Sequence, residues 1–376
     1  MNTIISLSGR DGVGKTQQIQ LLRDQPGLHV TNALKHYGDK WPKLNSADEF
    51  EWWFGKNNFD GFLDVITDSI NKRNLDKVDG KVTIHERGTL MFLAVCLATL
   101  ATRRQISVDE IQTVVKEKFL SRLTYSPYVE SSILLVEDVA YKSAIRELES
   151  GIELRASHYT DHQNQIYQQY QKNLHIALER CFPSDTTKIV TNQSIVDIQN
   201  QIRRIVSGLT GSELDSLCGN LRNLVCVGGM SESGKSQLCQ NLHVNHGSYR
   251  LKLRYFSKKF GENASLVEEI LRFLHEHPHI TLASIESLHN PELPVLLKKM
   301  LGTRTTVIYL DAPEDERVRR HQLVSDTVKA GLDKFLQKES VKESRGAHKV
   351  RLVADLVIDT SLNTPEETCD QVFKSI

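Results

Sequence analysis

At 376 residues the chain has length enough for two domains, each able to bury its own core. Its 47 basic and 47 acidic side chains cancel, which gives no general pull toward nucleic acid or an anionic membrane, and neither is expected as a partner. Hydrophobic content of 39% and charged content of 25% are ordinary for a soluble globular protein.

The first element is an apolar strand (Ile4, Ile5, Leu7) that breaks into Gly9-Arg-Asp-Gly-Val-Gly14-Lys15-Thr16 and then into helix formers (Gln17, Gln18, Gln20, Leu21, Leu22). The glycines and lysine stand at G-x-x-x-x-G-K-[ST] spacing, between a strand and a helix, as a phosphate cradle requires. Gly9, Gly12 and Gly14 let the backbone curl, so that N–H groups of a loop containing Asp11 and Val13 point inward at a helix N-terminus. Lys15 could then reach the β- and γ-phosphates of ATP, and Thr16 could offer its hydroxyl to Mg²⁺. The plain alternative is an ordinary glycine turn. Because the chain enters this strand directly, with Arg10 and Asp11 soon after, no signal peptide is expected.

Further strands are expected at 28–33, 81–85, 132–136 and 187–191, with helical or polar stretches between them, a pattern that signals a parallel sheet covered on both faces. Ligands of such sheets bind beyond the carboxyl ends of the strands. There the third strand leads into Glu86-Arg87-Gly88. Glu86 could hold Mg²⁺ through water or accept a proton, and Arg87 could clamp a phosphate, whereas the plain reading is a surface ion pair. Trp41, Trp52, Trp53 and Phe54 could stack on a base or pack as core or interface. The apolar stretch 90–101 is too short for a bilayer, which needs about 20 such residues. It reads as a buried helix or a subunit interface, which leaves a homodimer open.

A linker is expected within 206–220, rich in glycine and serine, with domains at 1–207 and 222–376. The second half repeats the plan. An apolar strand (Leu224, Val225, Val227) precedes Gly229-Met-Ser-Glu232-Ser233-Gly234-Lys235-Ser236, a second candidate cradle for ATP with Ser236 on Mg²⁺. Strands follow near 249–255, 280–285, 306–310 and 355–358, giving about five per half. Glu286 is the counterpart of Glu86 and could polarise a metal-bound water, while Arg317 and Arg320 share a helix face and could meet phosphates or simply be solvated. His275-Glu-His277-Pro-His279 has the look of a metal tract, but Pro278 disrupts any helical face and a solvated loop is preferred. The six cysteines (Cys96, Cys181, Cys218, Cys226, Cys239, Cys369) form no C-x-x-C pair and read as reduced, mostly buried residues of a cytoplasmic protein.

The first half resembles thymidylate kinases and their deoxynucleoside kinase relatives. Its GRDGVGKTQQ is similar to their D-G-x-G-K-T-T-Q loop, and Glu86-Arg87 stands at their [DE]-R motif. The segment 134–146 is similar to the strand and helix that carry their R-x-x-x-R pair, with Lys142 and Arg146 at the two positions. Arg155 and the helix ending Tyr167-Gln-Gln-Tyr170 are similar to the lid and the tyrosine helix behind it. The resemblance implies that Lys15 and Thr16 hold ATP phosphates and Mg²⁺, that Asp11 lies near the acceptor sugar or the metal, that Arg87 grips the acceptor phosphate, and that Arg146 or Arg155 closes on the transferring group. The family's R-E-P motif is absent, with Asn32-Ala-Leu-Lys35-His36-Tyr37 in its place, so the acceptor is left open.

The second half resembles dephospho-coenzyme A kinase-like enzymes in its loop, in Ile285-Glu-Ser-Leu-His-Asn-Pro-Glu292, in the Asp311-Ala-Pro turn with R-x-x-R, and in the late Ala354-Asp-Leu-Val-Ile-Asp359. Leu288 and His289 stand where that branch carries an arginine, which implies nucleotide binding without efficient transfer. The expected architecture is two P-loop NTPase domains of nucleoside or nucleotide kinase type, and the expected activity an ATP- and Mg²⁺-dependent phosphotransfer to a small nucleotide or nucleoside. A nucleotide-binding sensor is the alternative. No N-K-x-D motif and no D-x-x-G switch after a strand supports a GTPase or motor.

Overall fold

Two strands of this chain are buried along their whole length, Ile4–Gly9 (β1) and Asn223–Gly228 (β6), as only the middle strand of a sheet covered on both faces can be. The computed structural model describes residues 3–23, 25–42, 47–55, 58–137, 160–211, 214–253, 264–286, 288, 290–323 and 328–376. Lys142, Arg146, Arg155 and His289 lie outside these. The chain divides into two units, one of 1–193 with 198–214 and the other of 194–197 with 215–376.

In the first unit β1 is joined by β2 (Leu28–Val30), β3 (Val82–Glu86), β4 (Glu130–Val136) and β5 (Thr187–Val190) in a parallel sheet of order β2-β3-β1-β4-β5. Leu134 and Leu135 of β4 enter different apolar clusters, so both faces of the sheet are covered. One face packs on α1 (Lys15–Arg23) and α7 (Ile195–Thr210) through Ile19, Leu22, Ile198 and Ile202. The other packs on α3 (Phe59–Arg73), α4 (Thr89–Arg104) and α6 (Asp161–Cys181), with α2 (Ala47–Phe54) and α5 (Val108–Leu120) outside them.

Every residue of α4 from Thr89 to Ala101 is buried, among side chains such as Phe62, Ile66, Val115 and Leu174 of its own unit. A helix apolar all round belongs to an interior. It offers no face for a homodimer, which corrects that expectation for 90–101. The tryptophans likewise join the core: Trp41 and Trp52 lie 5.2 Å apart by ring centroid, Trp52 lies 4.7 Å from Phe62, and the group packs against the same cluster. The linker is shorter than expected, because 206–210 complete α7 and Val206 is buried in the core.

The second unit repeats the topology. Around β6 stand β7 (Tyr249–Lys252), β8 (Leu282–Glu286), β9 (Thr305–Asp311) and β10 (Leu356–Asp359), all parallel, in the order β7-β8-β6-β9-β10. Its helices are α8 (Lys235–His246), α9 (Ala264–Glu276), α10 (Glu292–Leu301), α11 (Glu314–Leu323), α12 (Val328–Ser344) and α13 (Pro365–Lys374). The match extends to register, since Leu7 faces Glu86 across β1 and β3 while Val227 faces Glu286 across β6 and β8. His277 follows α9 with its ring stacked on Phe273 and Nδ1 2.8 Å from the Phe273 carbonyl. Among the described residues no group of three or more His, Cys, Asp and Glu side chains is placed to hold a metal ion, and no helix is long and apolar enough to cross a membrane. All six cysteines are free thiols, five of them buried.

Fully buried His85 on β3 meets Thr31 Oγ1 at 2.9 Å and Asn74 Oδ1 at 3.1 Å. Burial, reinforced by the Arg73 guanidinium, drives its imidazole well below the ordinary 6.5. Below about pH 6.5 the unfolded chain therefore binds a proton that the folded chain refuses, and stability falls as pH drops from there. The thermal midpoint of the first unit should decline between about pH 6.5 and 5, and His85→Gln should flatten that decline. An identical slope in the variant would show that another group carries it.

Candidate functional site

Both glycine-rich loops leave the carboxyl end of the central strand and enter a helix, and they do so with one backbone path. Positive φ recurs at Gly9 and Gly229 (143° and 139°), at Gly12 and Glu232 (86° and 59°), and at Gly14 and Gly234 (86° and 92°). The first position admits nothing larger than glycine, because a Cβ there would stand 2.5 Å from the carbonyl oxygen of Leu135 in one unit and of Leu310 in the other. The non-glycine Glu232 holds its left-handed conformation with its carboxylate 3.1 Å from the His321 ring. The lysines curl back alike: Lys15 Nζ donates to the Arg10 carbonyl at 2.5 Å and Lys235 Nζ to the Met230 carbonyl, in each case the second loop residue. Val13 is buried beneath the first loop.

At the first loop the strand ends assemble an acidic and a basic group. The Thr16 hydroxyl donates to Glu86 Oε1 at 2.8 Å, and among the described residues no cation lies within ion-pair distance of that carboxylate. Arg87, at φ 61°, turns away from the strand and donates to Asp11 Oδ1 at 2.7 Å, while the Tyr167 hydroxyl donates to Asp11 Oδ2 at 3.2 Å. The sharp turn is held from below. Arg73, fully buried at the end of α3, donates to the carbonyls of Glu86 and Arg87 at 3.2 and 3.0 Å. Burial lowers its pKa, and Glu130 is the largest of the charges that oppose this. The sequence disguised Arg73 as one more cation in the last turn of a helix. Lys15, Thr16, Glu86, Arg87 and Asp11 thus meet at one place.

The second loop has the same frame and different electrostatics. Glu286 ends β8 where Glu86 ends β3, but Arg250 of β7 donates to both of its oxygens at 2.9 and 2.8 Å. The carboxylate expected to polarise a metal-bound water is already neutralised. Ser236, at the place of Thr16, is exposed and makes no hydrogen bond to it among the described residues. Arg317 is buried and Arg320 partly so. Arg317 donates to the carbonyls of Ala312 (3.1 Å) and Ser231 (3.4 Å), and Arg320 to those of Glu232 (3.3 Å) and Thr360 (2.7 Å), so both brace the loop. Lys235 is buried, also 3.3 Å from Ser233 Oγ, and its ammonium is pushed down to about 7, by burial first and by neighbouring Lys342 second. Arg250 and Lys342 were invisible to motif reading, although a basic residue in a short strand beside an acidic strand end was a usable signal for Arg250.

No family profile matches this chain, and no curated protein matches it in sequence. Solved structures do superpose in part. A thymidylate kinase from Candida albicans is 15% identical over 57% of this chain and 96% of its own, at a TM-score of 0.39. A sugar kinase from Janibacter is 13% identical over 41% and 93%, at 0.29, and an uncharacterized protein from Eubacterium ventriosum is 10% identical over 41% and 98%, at 0.34. Superpositions this loose carry no argument about activity.

Replacing Arg250 by methionine strands a largely buried carboxylate. A pair whose guanidinium keeps partial contact with solvent costs less to break than a fully buried one, so the variant should lose about 1–3 kcal/mol, much of it recovered in Arg250→Met with Glu286→Gln. Denaturant unfolding of the two variants checks this, and equal losses in both would contradict it.

Proposed function

We propose that the first unit is an ATP- and Mg²⁺-dependent phosphotransferase whose acceptor is a small nucleotide or nucleoside, and that the second unit binds a nucleotide without efficient transfer. The observation that carries the first half is the hydrogen bond from Thr16 to Glu86, a carboxylate in no ion pair among the described residues, beside a lysine-bearing glycine loop. Two adjacent oxygen donors of this kind suit Mg²⁺, which is held by few protein groups and keeps several waters. Bound there, the ion would neutralise charge on the transferring phosphoryl group.

The protein's own groups then have separate tasks. Backbone N–H groups of 12–16 and the Lys15 ammonium hold the donor phosphates. Arg87 clamps the acceptor bidentately, with Asp11 and Tyr167 fixing its approach. Glu86 would help to hold the ion, or would take the acceptor proton. Arg146 and Arg155 belong to this proposal through the resemblance alone. The dephospho-coenzyme A kinase likeness of the second unit is likewise a proposal, and the Arg250–Glu286 pair favours binding over transfer there.

A screen of nucleosides, nucleoside monophosphates and dephospho-coenzyme A with ATP and Mg²⁺ tests this directly. Acceptor-dependent ADP formation should fall by about 100-fold or more in Lys15→Ala and persist in Lys235→Ala. Arg87→Ala should raise the acceptor KM more than the ATP KM. Turnover unchanged by Lys15→Ala, or lost only with Lys235→Ala, would move the chemistry elsewhere. Binding of ATP without any acceptor-dependent turnover would favour a sensor.

A further inference from the structure

The second loop already holds an anion, and it comes from the chain itself. Glu339 of α12 accepts a hydrogen bond from the Ser231 N–H, the third residue of the loop, at 2.9 Å through Oε1, and its Oε2 is ion-paired with Arg317. A backbone N–H of a glycine loop and a guanidinium are what a phosphate oxygen would otherwise receive. We propose that the Glu339 carboxylate occupies a phosphate position of the second loop, so that a nucleotide binds this unit only by displacing the helix that carries it. This rests on reading that loop as a phosphate cradle.

The construction of α12 supports it. Phe335, Glu339 and Lys342, spaced four and three apart, form one stripe directed at the loop and α11, while Leu332, Leu336, Val341 and Glu343 are exposed. Phe335 is the stripe's buried apolar anchor, beneath the Arg317 guanidinium at 5.7 Å and beside the His321 ring at 5.6 Å. The rest of the stripe is polar, which makes the docking electrostatic and exchangeable. Lys342 joins Lys235 and Arg317 around the carboxylate, with Glu232 as the other acid. Burial outweighed by the bonds from Arg317 and Ser231 holds Glu339 below its ordinary range, so it is anionic at neutral pH. Two single carboxylates, Glu339 and Glu232, face the three basic side chains there. A phosphate chain, with more charge and more oxygens, satisfies them better and drives the exchange.

The test is an ADP titration of the full chain carrying Lys15→Ala, so that the second loop alone reports. Glu339→Gln and Glu339→Ala should bind ADP tighter than this parent by about tenfold or more, and Glu343→Ala, on the outward face, should match the parent. ADP binding that is no tighter in both Glu339 variants overturns the inference and leaves the nucleotide reading standing. ADP binding by none of these proteins overturns both. Should the variants misfold, hydrogen exchange of the unaltered chain decides: saturating ADP should speed exchange across 335–344, and unchanged or slower exchange there contradicts displacement.

Discussion

Each unit turns on a close approach between two backbones. The first loop glycine lies so near the carbonyl at the end of the neighbouring strand that a single added carbon would collide with it at 2.5 Å, in both units alike. At that contact the chain leaves the central strand, and two further positive-φ positions recur after it in each loop. The helix then begins at the lysine, whose ammonium folds back to the carbonyl of the second loop residue. Because the sheet around each central strand is parallel, all the strand ends face one side, and any group that follows a strand is delivered to the loop.

Given two equal frames, the difference in chemistry comes from which charges fill them. At the first loop the acidic strand end touches a hydroxyl, and the neighbouring arginine is restrained by an aspartate of the loop. At the second, an arginine from the edge strand neutralises the equivalent acid, and a glutamate from a later helix reaches the Ser231 amide of the loop. A divalent cation competes poorly for a carboxylate already held by a guanidinium, since ion and arginine need the same oxygens. On the proposed reading, these charges suit the first unit to metal-assisted transfer and the second to a guarded, reversible occupancy.

The parallel architecture was legible because strands buried on both faces read as continuous apolar runs and because the loop spacing occurs twice. Glu86, Arg87 and Glu286 were legible for a related reason: they follow strands directly, and topology fixes where strand ends point. Arg73, Arg250 and Glu339 were hidden, since each looks like an ordinary surface charge until tertiary packing turns it inward. The stretch 90–101 left two readings open, of which the buried helix is the one found. Its apolar character on every side fitted an interface as well as an interior, and only the surrounding helices decide between them.

The most direct measurement of this account is the Mg²⁺ dependence of ATP binding at each loop separately, by calorimetry on the full chain with Lys235→Ala to isolate the first loop and Lys15→Ala to isolate the second. The account predicts that Mg²⁺ strengthens binding markedly at the first loop, where Thr16 and Glu86 are available to it, and little at the second, where Arg250 holds Glu286. Equal Mg²⁺ dependence at both, or dependence at the second alone, would contradict it.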